Sequence, residues 1–167
     1  MEKSLKIYEA IADISDTATT IREVNAIAER TNSTIVLFNA EKIAGLDHVL
    51  SAVRHAERSF ASGKPIARTL AMGILLYASG QRQCSLAPRF GLHAERNYLL
   101  TAVIGGDTAA AKELLAAIIV PKEHGVTAPI PVLMEEFGIT EAELEITGTD
   151  RMEELVIERV AMVDVYM

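Results

Sequence analysis

Apolar residues recur at two spacings along the chain, and the spacing changes several times. Residues 4–14, SLKIYEAIADI, alternate loosely and predict a strand. Asp16 is placed to cap a helix over 18–30, with Ile21, Val24, Ile27 and Ala28 on one face. Residues 34–40 are almost wholly apolar and predict a second, central strand. After the break at Ala44-Gly45, the residues Leu46, Val49, Leu50, Val53, Ala56 and Phe60 form a helical stripe, with Arg54 and Arg58 on the polar side. Residues 67–79 predict a buried helix closed by Gly80. Ser85 is placed to cap a short helix over LAPRF, closed by Gly91.

In the second half, Tyr98 to Ile104 predict a strand and Gly105-Gly106-Asp107 a turn. Residues 108–119 predict an Ala-rich helix, and the prolines and glycine of 121–131 predict irregular chain. Pro131 is placed to open a short helix closed by Gly138. Residues 142–147 predict a weak strand. A final helix over 150–165 carries Leu155, Val156, Val160 and Val163 on its buried side. Strands and helices alternate irregularly, without linker or repeat. The pattern predicts one α+β domain over residues 1–167, with a small, mainly antiparallel sheet packed with several helices.

The chain has 167 residues, half of them hydrophobic, and can bury a core. One cysteine excludes an internal disulfide and any paired-cysteine metal knuckle. No charge-free apolar run is long enough to span a membrane, and the first residues lack a secretory pattern. The expectation is a cytoplasmic protein.

Known catalytic patterns are absent. Gly63-Lys64 lacks the upstream glycine of a phosphate-binding loop and is followed by Pro65. HAER occurs twice, at His55–Arg58 and His93–Arg96, but a zinc deaminase would also need a cysteine pair. Cys84 with His93 as base reads more simply as a small core residue. His48 and His55, seven apart on one helix face, read as surface or capping residues. No pair of carboxylates suggests acid–base work. The expectation is a protein that is not an enzyme, with no metal and no cofactor.

Charge changes the picture. The chain carries a formal −7, which argues against nucleic acid. Residues 54–96, however, hold seven cations against two anions, a net +5. Six of the seven are Arg, which contacts phosphate through two nitrogens and stacks on bases. Gln81, Arg82 and Gln83 add consecutive donors at the end of the buried helix, suited to unstacked bases.

The stretch His48 to Leu92, with its GKPIARTLAMGILLYASGQRQ block, resembles the small tRNA-recruiting subunit of the KEOPS complex, the PRPK-binding protein family. FNAEKIAG before it, EEFGITEAELEIT (135–147) and LVIERVAMVDV (155–165) are similar to the same family. The resemblance implies an α+β fold and a non-catalytic subunit. It implies that this subunit docks on and stimulates the complex's atypical kinase/ATPase. It also implies binding to the single-stranded 3′ end of tRNA, in support of threonylcarbamoyl-adenosine modification by another, metal-dependent subunit. Contact with other KEOPS subunits would be indirect. An adaptor for the kinase alone, without RNA binding, is the alternative. Carried over by position, the RNA-binding residues are Lys64, Arg68, Ser79, Gly80, Gln81, Arg82 and Gln83. Arg82 would clamp a phosphate or stack on a base, while Lys64 and Arg68 would track the backbone. By analogy the kinase would meet the helices near 48–60 and 150–165.

Two positions depart from the family. Gly73 follows Met72 where an acidic residue is usual, and Cys84 replaces a larger aliphatic residue.

Overall fold

The computed structural model describes residues 4–81 and 88–165. These fall into two compact units, Met1–Ala40 with Gly91–Val126, and Glu41–Phe90 with Thr127–Met167. Among the described residues there are seven α-helices and one four-stranded antiparallel sheet, so the α+β expectation with a small antiparallel sheet holds.

The first unit contains the sheet. Its strands are β1 (Leu5–Ile14), β2 (Thr34–Asn39), β3 (Glu95–Ile104) and β4 (Val120–Pro121), in the order β2-β3-β1-β4. Register runs from Leu5↔Ile104 to Ile14↔Glu95 and from Thr34↔Ile104 to Asn39↔Leu99. Helices α1 (Thr17–Thr31) and α4 (Thr108–Leu115) cover one face, where Ala10, Leu99, Val103, Val24, Ala111 and Leu115 meet. Both helices start at an aspartate whose carboxylate accepts a first-turn amide. Asp16 accepts from Thr19 and Asp107 from Ala110.

Three expectations fail here for physical reasons. β2 is an edge strand, not a central one. Ile35 and Leu37 face the helices while Val36 and Phe38 are buried on the other face. An apolar run reports two covered faces and says nothing of how many strands lie beside it. Ile21 is exposed, because α1 buries Thr20, Val24, Ile27 and Thr31 instead. Both threonines bury cheaply: Thr20 Oγ1 donates to Asp16 O at 3.0 Å and Thr31 Oγ1 to Ile27 O at 2.8 Å. α4 ends at Leu115, four residues early.

The second unit is helical. It comprises α2 (Leu46–Ala61), α3 (Leu70–Ser79), α5 (Ile130–Phe137), α6 (Glu141–Thr147) and α7 (Met152–Val165). Helix α2 packs on α3 and α7. α2 buries His48, Val49, Ala52, Val53 and Ala56, while Leu46 is exposed, so the stripe is turned by about one residue from that expected. α7 buries the four residues foreseen, plus Met152. Gly73 sits where α3 meets α2: a Cβ there would lie 3.3 Å from the Phe60 ring, so a larger residue would require that ring to shift. Of the expected LAPRF helix, residues 88–90 form a 3-10 turn, and Ser85 lies outside the described residues.

Residues 142–147 are helical, not a strand. Thr140 Oγ1 accepts the Glu143 amide at 3.1 Å, and Glu143 Oε1 accepts the Thr140 amide at 3.4 Å. This reciprocal cap is readable as Thr-x-x-Glu, and it outweighs the weak alternation. α6 buries no side chain, and Ile146 is 88 % exposed. The cap, with the Arg159–Glu143 ion pair at 2.7 Å, therefore carries the helix. Thr140→Ala is expected to speed amide exchange in α6 about fivefold, for a local cost of roughly 1 kcal/mol. Unchanged exchange would show that the cap is dispensable.

Candidate nucleic-acid interface

The expected site residues gather at the two ends of α3. At its start, Thr69 Oγ1 accepts the Met72 amide at 3.1 Å. Lys64 and Arg68 lie just before this cap. Both are exposed, and neither forms an ion pair among the described residues. The positive end of the helix dipole adds to their field, so this end suits phosphate.

Ser79, Gly80 and Gln81 lie at the other end. Ten helical residues span about 15 Å, so the two groups cannot touch one phosphate. Arg82 and Gln83, with Cys84, lie outside the described residues. Gln81 is exposed. Ser79 is buried and its hydroxyl is engaged: it donates to Leu76 O at 2.7 Å and accepts the Gln81 amide at 3.2 Å. Ser79 holds the turn and does not present a group to solvent. Gly80 has φ +69°, and a Cβ there would sit 3.2 Å from Phe137. Its amide donates to Tyr77 O at 3.0 Å, and that of Gln81 to Leu76 O at 3.3 Å. The loose ends of α3 are thus paired by the turn itself.

One more carbonyl at this end is paired by a residue that the sequence reads as a surface or capping histidine and that the fold buries. His48 is fully buried. Its Nδ1 accepts the Ala44 amide at 3.0 Å, so the proton is on Nε2, which donates to Ala78 O at 2.8 Å. Burial pushes the imidazole down to about 4, against a smaller upward pull from the Ala78 bond. His48 meets Phe137 edge-on at 5.4 Å, and Phe137 meets Phe90 likewise at 5.8 Å. This aromatic row underlies Gly80. The only sequence signal was Ala52 and Ala56, four and eight residues on, whose small side chains mark His48's line as a packed face.

The basic stretch contributes fewer free cations than its count. Arg89 reaches Glu136 Oε1 at 2.7 Å, a carboxylate that Lys42 shares. Arg96 forms a fork with Asp13, at 2.7 and 3.2 Å. Both acids are remote in sequence, so a sum over residues 54–96 could not include them. Arg54, Lys64 and Arg68 remain without an ion pair among the described residues, as does Arg58, whose guanidinium lies 3.3 Å from His55 Nδ1.

The two HAER copies have different roles. His55, on α2, places Nδ1 at 2.8 Å from Asp164 and stacks on Tyr77, whose hydroxyl donates to the same carboxylate at 2.5 Å. Burial raises the Asp164 carboxyl, but the bonds from Tyr77 and His55 outweigh it and hold the group low. The second copy runs into β3, with His93 Nδ1 donating to Ala94 O at 2.8 Å. No three metal-ligating side chains converge among the described residues, and none of their helices is long and apolar enough to cross a membrane.

Residues 11–164 match the family model described as kinase binding protein CGI-121. No curated protein matches the sequence.

Proposed function

Because the chain belongs to the CGI-121 family of kinase-binding proteins, we propose that it is a non-catalytic KEOPS subunit that docks on and stimulates the complex's kinase/ATPase and holds the 3′ end of tRNA. The observation that carries the RNA half is the polarity of α3. Lys64 and Arg68, without an ion pair among the described residues, stand at its positive end, and a hydrogen-bonded turn exposing Gln81 stands at its negative end. A single strand that met both ends would place phosphates at the first and bases at the second, toward Gln81, Arg82 and Gln83. Phosphate is disfavoured at a helix C-terminus unless a cation such as Arg82 offsets it. Ser79 and Gly80 serve by shaping the turn. Threonylcarbamoyl transfer itself belongs to a partner.

The test is tRNA binding by mobility shift, with intact and tail-trimmed tRNA. Arg68→Glu and Arg82→Glu are each expected to weaken binding by at least about tenfold and to lower the salt slope by about one. Trimming the 3′ tail should have the same effect on the wild type. Undiminished binding in all arms would defeat the RNA reading. The acidic total charge of −7 favours the second reading, a protein-only adaptor. That reading gains if purified protein binds and stimulates the kinase but leaves tRNA unshifted.

A further inference from the structure

The outer edge of β1 is only partly used. β4 covers it at Ala10 and Ile11, and Lys122 N–H donates to Glu9 O at 3.1 Å. Pro121 follows Val120 in that strand, and the chain then leaves the sheet. Backbone groups alternate sides along a strand. The Glu9 carbonyl faces β4, whereas Ser4 O accepts the Gly105 amide at 2.7 Å on the β3 side. Odd-numbered residues therefore aim both N–H and C=O away from β3. At Leu5 and Ile7 no described residue pairs with these groups.

A cleft of about 700 Å³ lies beside this edge, lined by Ile7, Tyr8, Glu9, Lys112, Lys122 and Gly125, among others. Its chemistry is uneven. Lys112 Nζ stands 4.6 Å from the centre of the Tyr8 ring. Neither Lys112 nor Lys122 forms an ion pair among the described residues. The Glu9 carboxylate is engaged by the His124 and Gly125 amides, at 2.8 and 3.4 Å, whereas Glu123, the other acid of the lining, forms no ion pair among the described residues. A Cβ on Gly125 would meet nothing within 4 Å, so the cleft is open there. Side chains also alternate: Lys6 and Tyr8 share the face of Lys112, while Leu5 and Ile7 share the other.

We propose that the open edge of β1 receives an extended acidic segment of a protein partner, added as a short strand beside Leu5–Tyr8. Its acidic side chains would meet Lys6 and Lys112, and the intervening apolar ones Leu5 and Ile7. A peptide backbone supplies the alternating donors and acceptors that Leu5 and Ile7 lack, which an RNA strand cannot. A second copy of this chain would bring like lysine clusters together. The inference is independent of the RNA reading, since it uses residues on a different unit.

The test uses the full chain and a blocked, labelled peptide that alternates Glu and Val, with a Lys/Val peptide and oligouridylate as competitors. The expected result is saturable binding and at least about tenfold slower exchange of the Leu5 and Ile7 amides. Ile7→Pro removes an outward N–H without touching the β3 ladder and should abolish binding. Should that variant fail to fold, Lys6→Glu with Lys112→Glu is expected to weaken binding by at least about tenfold. No binding, equal binding of the Lys/Val peptide, displacement by oligouridylate, or indifference to the lysine reversal would each overturn the proposal.

Discussion

His48→Ala is expected to destabilise the protein by roughly 3–5 kcal/mol at neutral pH, one of the two largest effects of any single change here. Three losses combine. The ring leaves a cavity beside Phe137. The Ala44 amide and the Ala78 carbonyl both lose their partner. Ala78 lies in the last turn of α3, where the Gly80 and Gln81 amides pair Tyr77 O and Leu76 O, and His48 is the donor that Ala78 O has. Urea denaturation measures the total. A loss below about 1 kcal/mol would show that water replaces the imidazole without cost.

The same residue gives a pH dependence with a definite sign. Unfolded, its imidazole titrates near 6.5; folded, at about 4. Between those values the unfolded chain binds a proton that the native protein refuses. His48's contribution is therefore intact above about pH 6.5 and falls as the pH drops toward 4, by on the order of 3 kcal/mol. Protonation would also put a hydrogen on Nδ1, which now accepts from Ala44. His48→Phe should flatten this part of the stability profile while keeping most of the volume. An unchanged slope would assign the acid sensitivity to other groups.

Gly106→Ala is the second large effect, with an expected loss of roughly 4 kcal/mol or more. A Cβ at Gly106 would lie 2.2 Å from both Thr31 O and Asn32 O, the backbone that ends α1. Backbone cannot swing aside as a long side chain can, and Thr31 O is also held by the Asp107 amide at 2.9 Å. Gly63→Ala is the control. Gly63 has φ +75°, close to the +62° of Gly106, but nothing within 4 Å. It should lose only about 1 kcal/mol, the conformational cost alone. Equal losses at the two positions would remove the collision as the cause.

Much of the molecule was legible because the decisive interactions are short-range. Asp16, Gly80 and Gly138 end or begin helices as expected, since each acts on amides or carbonyls within a few residues. Ile21 and Leu46 were assigned to buried faces by their hydrophobicity, but a helix turns to bury what its neighbours leave room for. Residues 142–147 alternate weakly, but the reciprocal cap of Thr140 and Glu143 makes them a helix. The candidate site was half legible. Lys64, Arg68 and Gln81 are exposed as an RNA-contacting role requires, while Ser79 lies beneath the surface.

The sequence alone determined most of the element types, residues 142–147 and β4 excepted, with the turn after α3, the concentration of arginine between residues 54 and 96, and the family resemblance. Only the tertiary structure decided which cations are free. Asp13 and Glu136 reach Arg96 and Arg89 across 83 and 47 residues, and proximity of that kind leaves no trace in local composition. It also decided that the proposed binding residues among those described form two groups at opposite ends of one helix, and that a buried neutral histidine holds the turn at the C-terminal one. Helix length and the pairing of backbone groups set those arrangements, and both depend on how distant segments pack.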